Sequence, residues 1–229
     1  MTAPKTWTKT KFKSFIEAEV AKSVAHLGFA VSKAENCWLE KITADYRITI
    51  SALSASGRIP NQVSFDFSCA IYLPEVQQLL NRILDPDRLP AATFVFALNA
   101  VDSLESTGAV TYHFDWTNEA DLSKKVDTIK KKIEIADRVA ASLHGLDSLS
   151  KRNFRKAPYL GRRYPDGLKA DFAYCLPRVA ALGQALDGDI AAADASIAMD
   201  GGLSDSEKER LRELVRELAA RARETTGAA

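Results

Sequence analysis

Residues 62–84 read QVSFDFSCAIYLPEVQQLLNRIL, and this stretch decides the fold. Val63, Phe65, Phe67, Cys69 and Ile71 alternate with Ser64, Asp66 and Ser68. A strict period of two is the pattern of a β-strand with one face buried and the other wet. Pro74 then suits the first turn of a helix, where its missing N–H would have had no partner anyway. Val76, Leu79, Leu80 and Ile83 form the apolar stripe of that helix. Asp85-Pro86 ends it, because the residue before a proline is driven out of helical backbone.

Working toward the N-terminus, two more strand-like runs precede this one, at 36–42 and 45–53. In the second, Tyr46, Ile48, Ile50 and Ala52 share one face, while Arg47, Thr49 and Ser51 share the other. Short joins favour antiparallel hairpins over crossovers. Before them, Phe12, Ile16, Val20, Val24 and Leu27 repeat at helical spacing, Phe15 broadens the stripe, and Gly28 supplies a left-handed stop. Toward the C-terminus come strands at 92–101 and 108–116. In the latter, Val110, Tyr112, Phe114 and Trp116 oppose Thr111, His113 and Asp115. Thr117 or Asn118 caps a long third helix ending near Gly145, with the row Leu122, Val126, Ile129, Ile133, Ala136, Ala140 and Leu143. The expected fold is α+β: a two-layer sandwich of a mostly antiparallel five-stranded sheet with three helices on one face, plus a C-terminal helical segment.

The chain divides into an α+β domain at 1–146, a basic linker or loop at 147–166, and an Ala-rich helical extension at 167–229. In the extension Pro177 restarts a helix, Gly201-Gly202 breaks one, and Ser204 with Glu207 forms a capping box. The row Leu211, Leu214, Val215 and Leu218 in the last helix is too apolar to stay wet and needs a cover.

The 229 residues carry 31 Lys+Arg against 30 Asp+Glu, with 46% hydrophobic content. Those values describe an ordinary globular chain and exclude a collagen, a disordered tail and a disulfide scaffold. The net charge of +1 offers no whole-protein argument for nucleic acid or membrane. Cys37, Cys69 and Cys175 are isolated and odd in number, which suits a reducing compartment. With no apolar run long enough for a signal peptide or a spanning helix, the expected location is cytoplasmic, with no membrane association.

Two constellations stand out. The first is the basic, aromatic-interleaved stretch Lys151, Arg152, Phe154, Arg155, Lys156, Tyr159, Arg162, Arg163 and Tyr164. Guanidinium groups chelate phosphates and aromatic rings stack on bases, so this mixture suits a nucleic acid or nucleotide as well as an acidic protein. It lacks Gly-x-x-x-x-Gly-Lys, so a phosphate-cradling loop is not indicated. The bland reading is a solvated linker whose aromatics pin it to the core. The second is the polar sheet face, where Arg47, Asp66, His113 and Asp115 point away from the core. His113 and Asp115, two apart on one strand, have the spacing of an oriented base. A wetted sheet explains the same residues without chemistry. No metal site is read from the sequence, no cofactor is expected, and no catalytic residue is assigned.

Residues 9–143 resemble a family of small bacterial α+β domains of unknown function. The likeness rests on the opening helix ending in Leu27-Gly28-Phe29, on Phe65-x-Phe67 followed by Ile71-Tyr72-Leu73-Pro74, and on a strand ending in Trp116 before a long helix. Some members of that group are similar to toxin-immunity proteins. The resemblance implies a binding role and carries over no functional residue.

The leading expectation is therefore a non-enzymatic protein-binding module in the style of an immunity or defence-associated protein, with a protein partner or a second copy as its ligand. One alternative is a nucleic-acid or nucleotide binder using 151–164, and another is a small enzyme built on His113 and Asp115.

Overall fold

The computed structural model describes residues 8–32, 38–55, 62–87, 92–98, 112–143, 145–150, 173–174 and 177–227. Its first elements are the helix α1 (Lys9–Val24) and the strands β1 (Ala30–Val31), β2 (Leu39–Ile42), β3 (Arg47–Ala55) and β4 (Gln62–Tyr72). Helix α2 (Pro74–Ile83), strands β5 (Phe94–Ala97) and β6 (Tyr112–Asp115) and helix α3 (Glu119–Ala141) follow. Strand β7 (Ala173–Tyr174) precedes three helices, α4 (Pro177–Leu186), α5 (Ile190–Met199) and α6 (Asp205–Gly227).

The chain is an α+β fold on an open antiparallel sheet, and β4 is its spine. On one edge β4 pairs with β3 from Arg47↔Tyr72 to Ala55↔Ser64. On the other edge it carries β6 along residues 62–65 and β5 along residues 68–71, end to end. Strand β2 adds to β3, β1 to β2, and β7 to β5. Among the described residues the sheet has seven strands, two more than expected. The additions, β1 and β7, are two residues long and too short to show any period.

The alternation of β4 sorts its side chains as the sequence requires. Phe65, Cys69 and Ile71 are 0% exposed and Phe67 4%, against one apolar layer with Ile48 and Ile50 of β3 and Phe114 of β6. Above that layer α1 buries Phe12, Ile16, Val20 and Val24, while α3 buries Ile129, Ile133, Ala136 and Ala140. The Thr8 side chain accepts from Lys11 N at the start of α1, and Asn118 accepts from Asp121 N at the start of α3. Each cap satisfies an N–H that has no partner within its helix and contributes about 1 kcal/mol. Gly28 adopts the expected left-handed conformation at φ 89°.

Side chains mark the start of β5 and the end of β6. Just before β5 begins at Phe94, the Thr93 hydroxyl accepts from Leu73 N at 3.0 Å while Thr93 N donates to Ile71 O at 2.8 Å. The Asp115 carboxylate accepts from Thr117 N at 2.8 Å and turns the chain, leaving Trp116 beyond β6. Residues 99–111 and 33–37, which hold the rest of the expected strands, lie outside the described residues.

The last helix covers its apolar row within the same chain. Leu211, Leu214, Val215 and Leu218 are buried, and α6 packs on α2, α4 and α5. One apolar cluster runs from Phe12 of α1 through β4 to Val179 of α4 and Leu218 of α6. The capping box forms: Glu207 Oε2 accepts from Ser204 N at 2.8 Å, and Ser204 Oγ accepts from Glu207 N at 3.3 Å. Glu207 is fully buried because its other oxygen accepts from Asp85 N, just beyond α2. Arg210 donates to Ile83 O at 2.8 Å and pairs with Asp85 at 2.6 Å. On the surface of α6, Glu209 pairs with Arg212 at 2.9 Å. At the opposite end of α2, the Glu75 carboxylate accepts from Leu146 N at 2.7 Å. It fills the space where a Cβ on Gly145, at φ 54°, would sit. Among the described residues no helix is long and apolar enough to cross a membrane.

Phe67 touches Trp38, Phe65 and Tyr112, with ring centroids 5.7, 5.7 and 5.5 Å away. Phe67→Ala is expected to cost about 3–5 kcal/mol, read from the urea midpoint at constant slope. A loss below about 0.5 kcal/mol, the usual range for surface sites, would place Phe67 outside the core and overturn the register.

Candidate functional site

The register places Arg47, Asp66, His113 and Asp115 on the open sheet face, as their alternation requires, but does not gather them into one site. Arg47 lies opposite Tyr72 and His113 opposite Ser64, so the two are separated along β4 by the span 64–72. At about 3.4 Å per residue that is roughly 27 Å. Arg47 is occupied locally: its guanidinium sits over the Tyr72 ring at 5.2 Å and pairs with Glu40 at 3.1 Å. Asp66 is half-buried opposite Leu53.

His113 and Asp115 are neighbours without being a dyad. The Asp115 carboxylate is spent on Thr117, accepting from its hydroxyl at 2.6 Å and its N–H at 2.8 Å. Those two bonds, the hydroxyl first, hold the Asp115 carboxyl below the usual range. His113 Nδ1 instead meets Ser64 Oγ across the ladder at 2.8 Å. A serine–histidine contact has the elements of nucleophilic catalysis, but Ser64 is only 3% exposed. It works as a cross-strand clasp.

The stretch Lys151, Arg152, Phe154, Arg155, Lys156, Tyr159, Arg162, Arg163 and Tyr164 lies outside the described residues, as do Cys37 and Cys175. Cys69 is a free thiol sealed in the core; burial first, and the Asp137 charge second, push its pKa well above the ordinary value. It carries no thiolate for reaction at neutral pH. Among the described residues no group of three or more His, Cys, Asp or Glu is placed to hold a metal ion.

Among the described residues, a concave feature lies on the helical side. A groove of about 580 Å³ opens between α1 and the first turns of α3. Phe12, Phe15, Trp116, Leu122 and Val126 line its floor; Glu19, Lys22, Ser23, Asp115, Ser123 and Asp127 line its rim. Phe12 stacks beside Phe15 at 6.3 Å and meets the edge of Trp116 at 5.4 Å and 71°. Phe12 is buried, whereas Phe15, Trp116, Leu122 and Val126 are only partly covered. Residue by residue, the sequence pattern assigns all five to apolar rows and reveals no cavity. The available signal was Phe15, which widens the α1 stripe past the row Phe12, Ile16, Val20 and Val24 that meets the sheet.

A polar cluster that the sequence does not announce ties α3 to the sheet. Lys41 Nζ donates to both oxygens of Asp137 at 2.8 Å, and Tyr46 OH donates to Asp137 Oδ1 at 2.8 Å. Burial alone would lower the Lys41 pKa, but its bonds to Asp137 and Tyr46 outweigh that and raise it above 10.5. Burial, then the bond to Asp137, raises Tyr46 above 10.0. Both groups are bound more tightly by the fold when protonated. Their contribution is therefore complete below the unfolded values and is lost as pH rises through the folded ones. Stability is expected to fall on the alkaline side of about pH 10, more shallowly in Asp137→Asn than in the native chain, since the upward pull of Asp137 on both Lys41 and Tyr46 is lost. Equal alkaline slopes in urea melts of the two proteins would contradict this coupling.

Comparison with protein-family models, curated proteins and solved structures gives no match.

Proposed function

We propose that this chain is a non-enzymatic protein-binding module whose contact surface is the groove between α1 and α3. The observation that carries the reading is the groove floor, where Phe15, Trp116, Leu122 and Val126 stay partly exposed in a concavity rimmed by charge. A concave apolar floor with a polar rim is the anatomy of a recognition surface. Aromatic side chains in such a setting supply much of the binding energy because they bury large areas with few rotatable bonds. A role of the immunity type is consistent with such a surface, since a protein that silences another needs a complementary surface and no chemistry of its own.

Photo-crosslinking tests the proposal. Benzoylphenylalanine in place of Ser123, on the groove rim, is expected to yield a discrete protein adduct in cell extract. The same group in place of exposed Glu209 on α6 should not yield that adduct. Val126→Asp, with folding checked by circular dichroism, is expected to abolish the Ser123-position adduct. Adducts identical from both positions, adducts to nucleic acid alone, or an adduct indifferent to Val126→Asp would contradict a groove-based protein interaction.

A further inference from the structure

We infer that the occupant of the α1–α3 groove is a cationic amphipathic helix of a partner protein, an inference that rests on the protein-binding reading above. The shape argument comes from α1. Its groove residues, Phe12, Phe15, Glu19, Lys22 and Ser23, follow helical spacing along one side of the helix. At about 1.5 Å per residue they extend for roughly 16 Å, or three turns, a run long enough to seat an apolar helix face. A helix laid there offers anchors at three- and four-residue spacing to Phe15, Trp116, Leu122 and Val126.

The charge argument selects the partner. Three carboxylates, Glu19, Asp115 and Asp127, line the rim against one ammonium, Lys22, an excess of two negative charges. Three nearby cations are engaged with acids outside the rim: Lys13 with Glu17 at 3.8 Å, Lys125 with Asp121, and Lys130 with Glu134 at 3.9 Å. Lys125 also donates to the His113 carbonyl. Among the described residues Glu19, Lys22 and Asp127 make no ion pair, and Asp115 is held ionised by Thr117. An acidic rim around an apolar floor attracts a helix with Lys or Arg flanking its apolar stripe. It repels an acidic helix or a nucleic acid backbone by the same electrostatics.

Two labelled helical peptides of roughly four turns provide the test. Both carry Leu and Phe on one face; one has Lys on the other face and its counterpart has Glu. Fluorescence anisotropy with the full chain is expected to show the Lys peptide binding at least about tenfold more tightly, with the preference shrinking as salt screens the rim. The double variant Glu19→Lys and Asp127→Lys, matched to the native chain in its thermal melt, is expected to reverse the order. Equal or tighter binding of the Glu peptide overturns the charge inference while leaving protein binding at the groove intact. Failure of both peptides, alongside a discrete Ser123-position adduct, overturns the helical inference and also leaves the broader reading standing. A preference untouched by the double variant places the binding elsewhere and overturns the inference.

Discussion

The alternation of β4 is the constraint on which everything else in this molecule depends. Phe65, Phe67, Cys69 and Ile71 sit under the helices because Ser64, Asp66 and Ser68 do not. Slipping the strand by one residue would invert both faces at once, exposing the aromatic rows and burying a carboxylate. The ladder with β3 fixes one edge, and β5 and β6 share the other. Because the end of β6 pairs with the first residues of β4, the turn at Asp115 and Thr117 lands Trp116 against Phe12 of α1. That landing point is the head of the groove. The site is therefore a by-product of where a strand stops.

Buried polar contacts then fix how the helices lie. Arg178, at the start of α4, forms a two-point pair with Asp200 at the end of α5, at 2.9 and 3.0 Å. Both residues are buried, and Asp200 also accepts from the N–H groups of Arg178 and Gly202. A buried pair of this kind is weak evidence for net stability, since desolvation offsets much of the attraction. Its value is geometric, because any other arrangement of the two helices strands a charge away from water. Glu207 acts similarly between α2 and α6: losing its carboxylate would leave the Asp85 and Ser204 N–H groups without partners, at about 1–3 kcal/mol each. The Lys41, Tyr46 and Asp137 cluster does the same for α3 and the sheet.

Where local pattern and tertiary packing agree, the sequence was legible. Strand β4 and helix α2 begin and end where alternation, Pro74 and Asp85-Pro86 place them. The capping box at Ser204 and the buried row of α6 were equally plain. The start of β5 and the end of β6 were not, because side-chain bonds of Thr93 and Asp115 lie there and hydrophobic period carries no record of them. Shared orientation says nothing about distance along a strand, and so Arg47 and His113 lie far apart on the sheet. The groove escaped notice for a different reason. Phe15, Leu122 and Val126 look like core residues in any one-dimensional pattern, and only the packing of α1 beside α3 leaves them partly bare.

The sheet and the C-terminal helices are parts of a single packed body, held by one apolar cluster and by Glu207. Native-state hydrogen exchange measures this most directly. Amides of Phe65, Phe67 and Cys69 in β4 and of Leu214 and Val215 in α6 are expected to exchange with one common free energy, equal to that of global unfolding. Exchange in α6 easier by more than about 2 kcal/mol, with β4 still fully protected, would show the two parts opening independently and contradict the account.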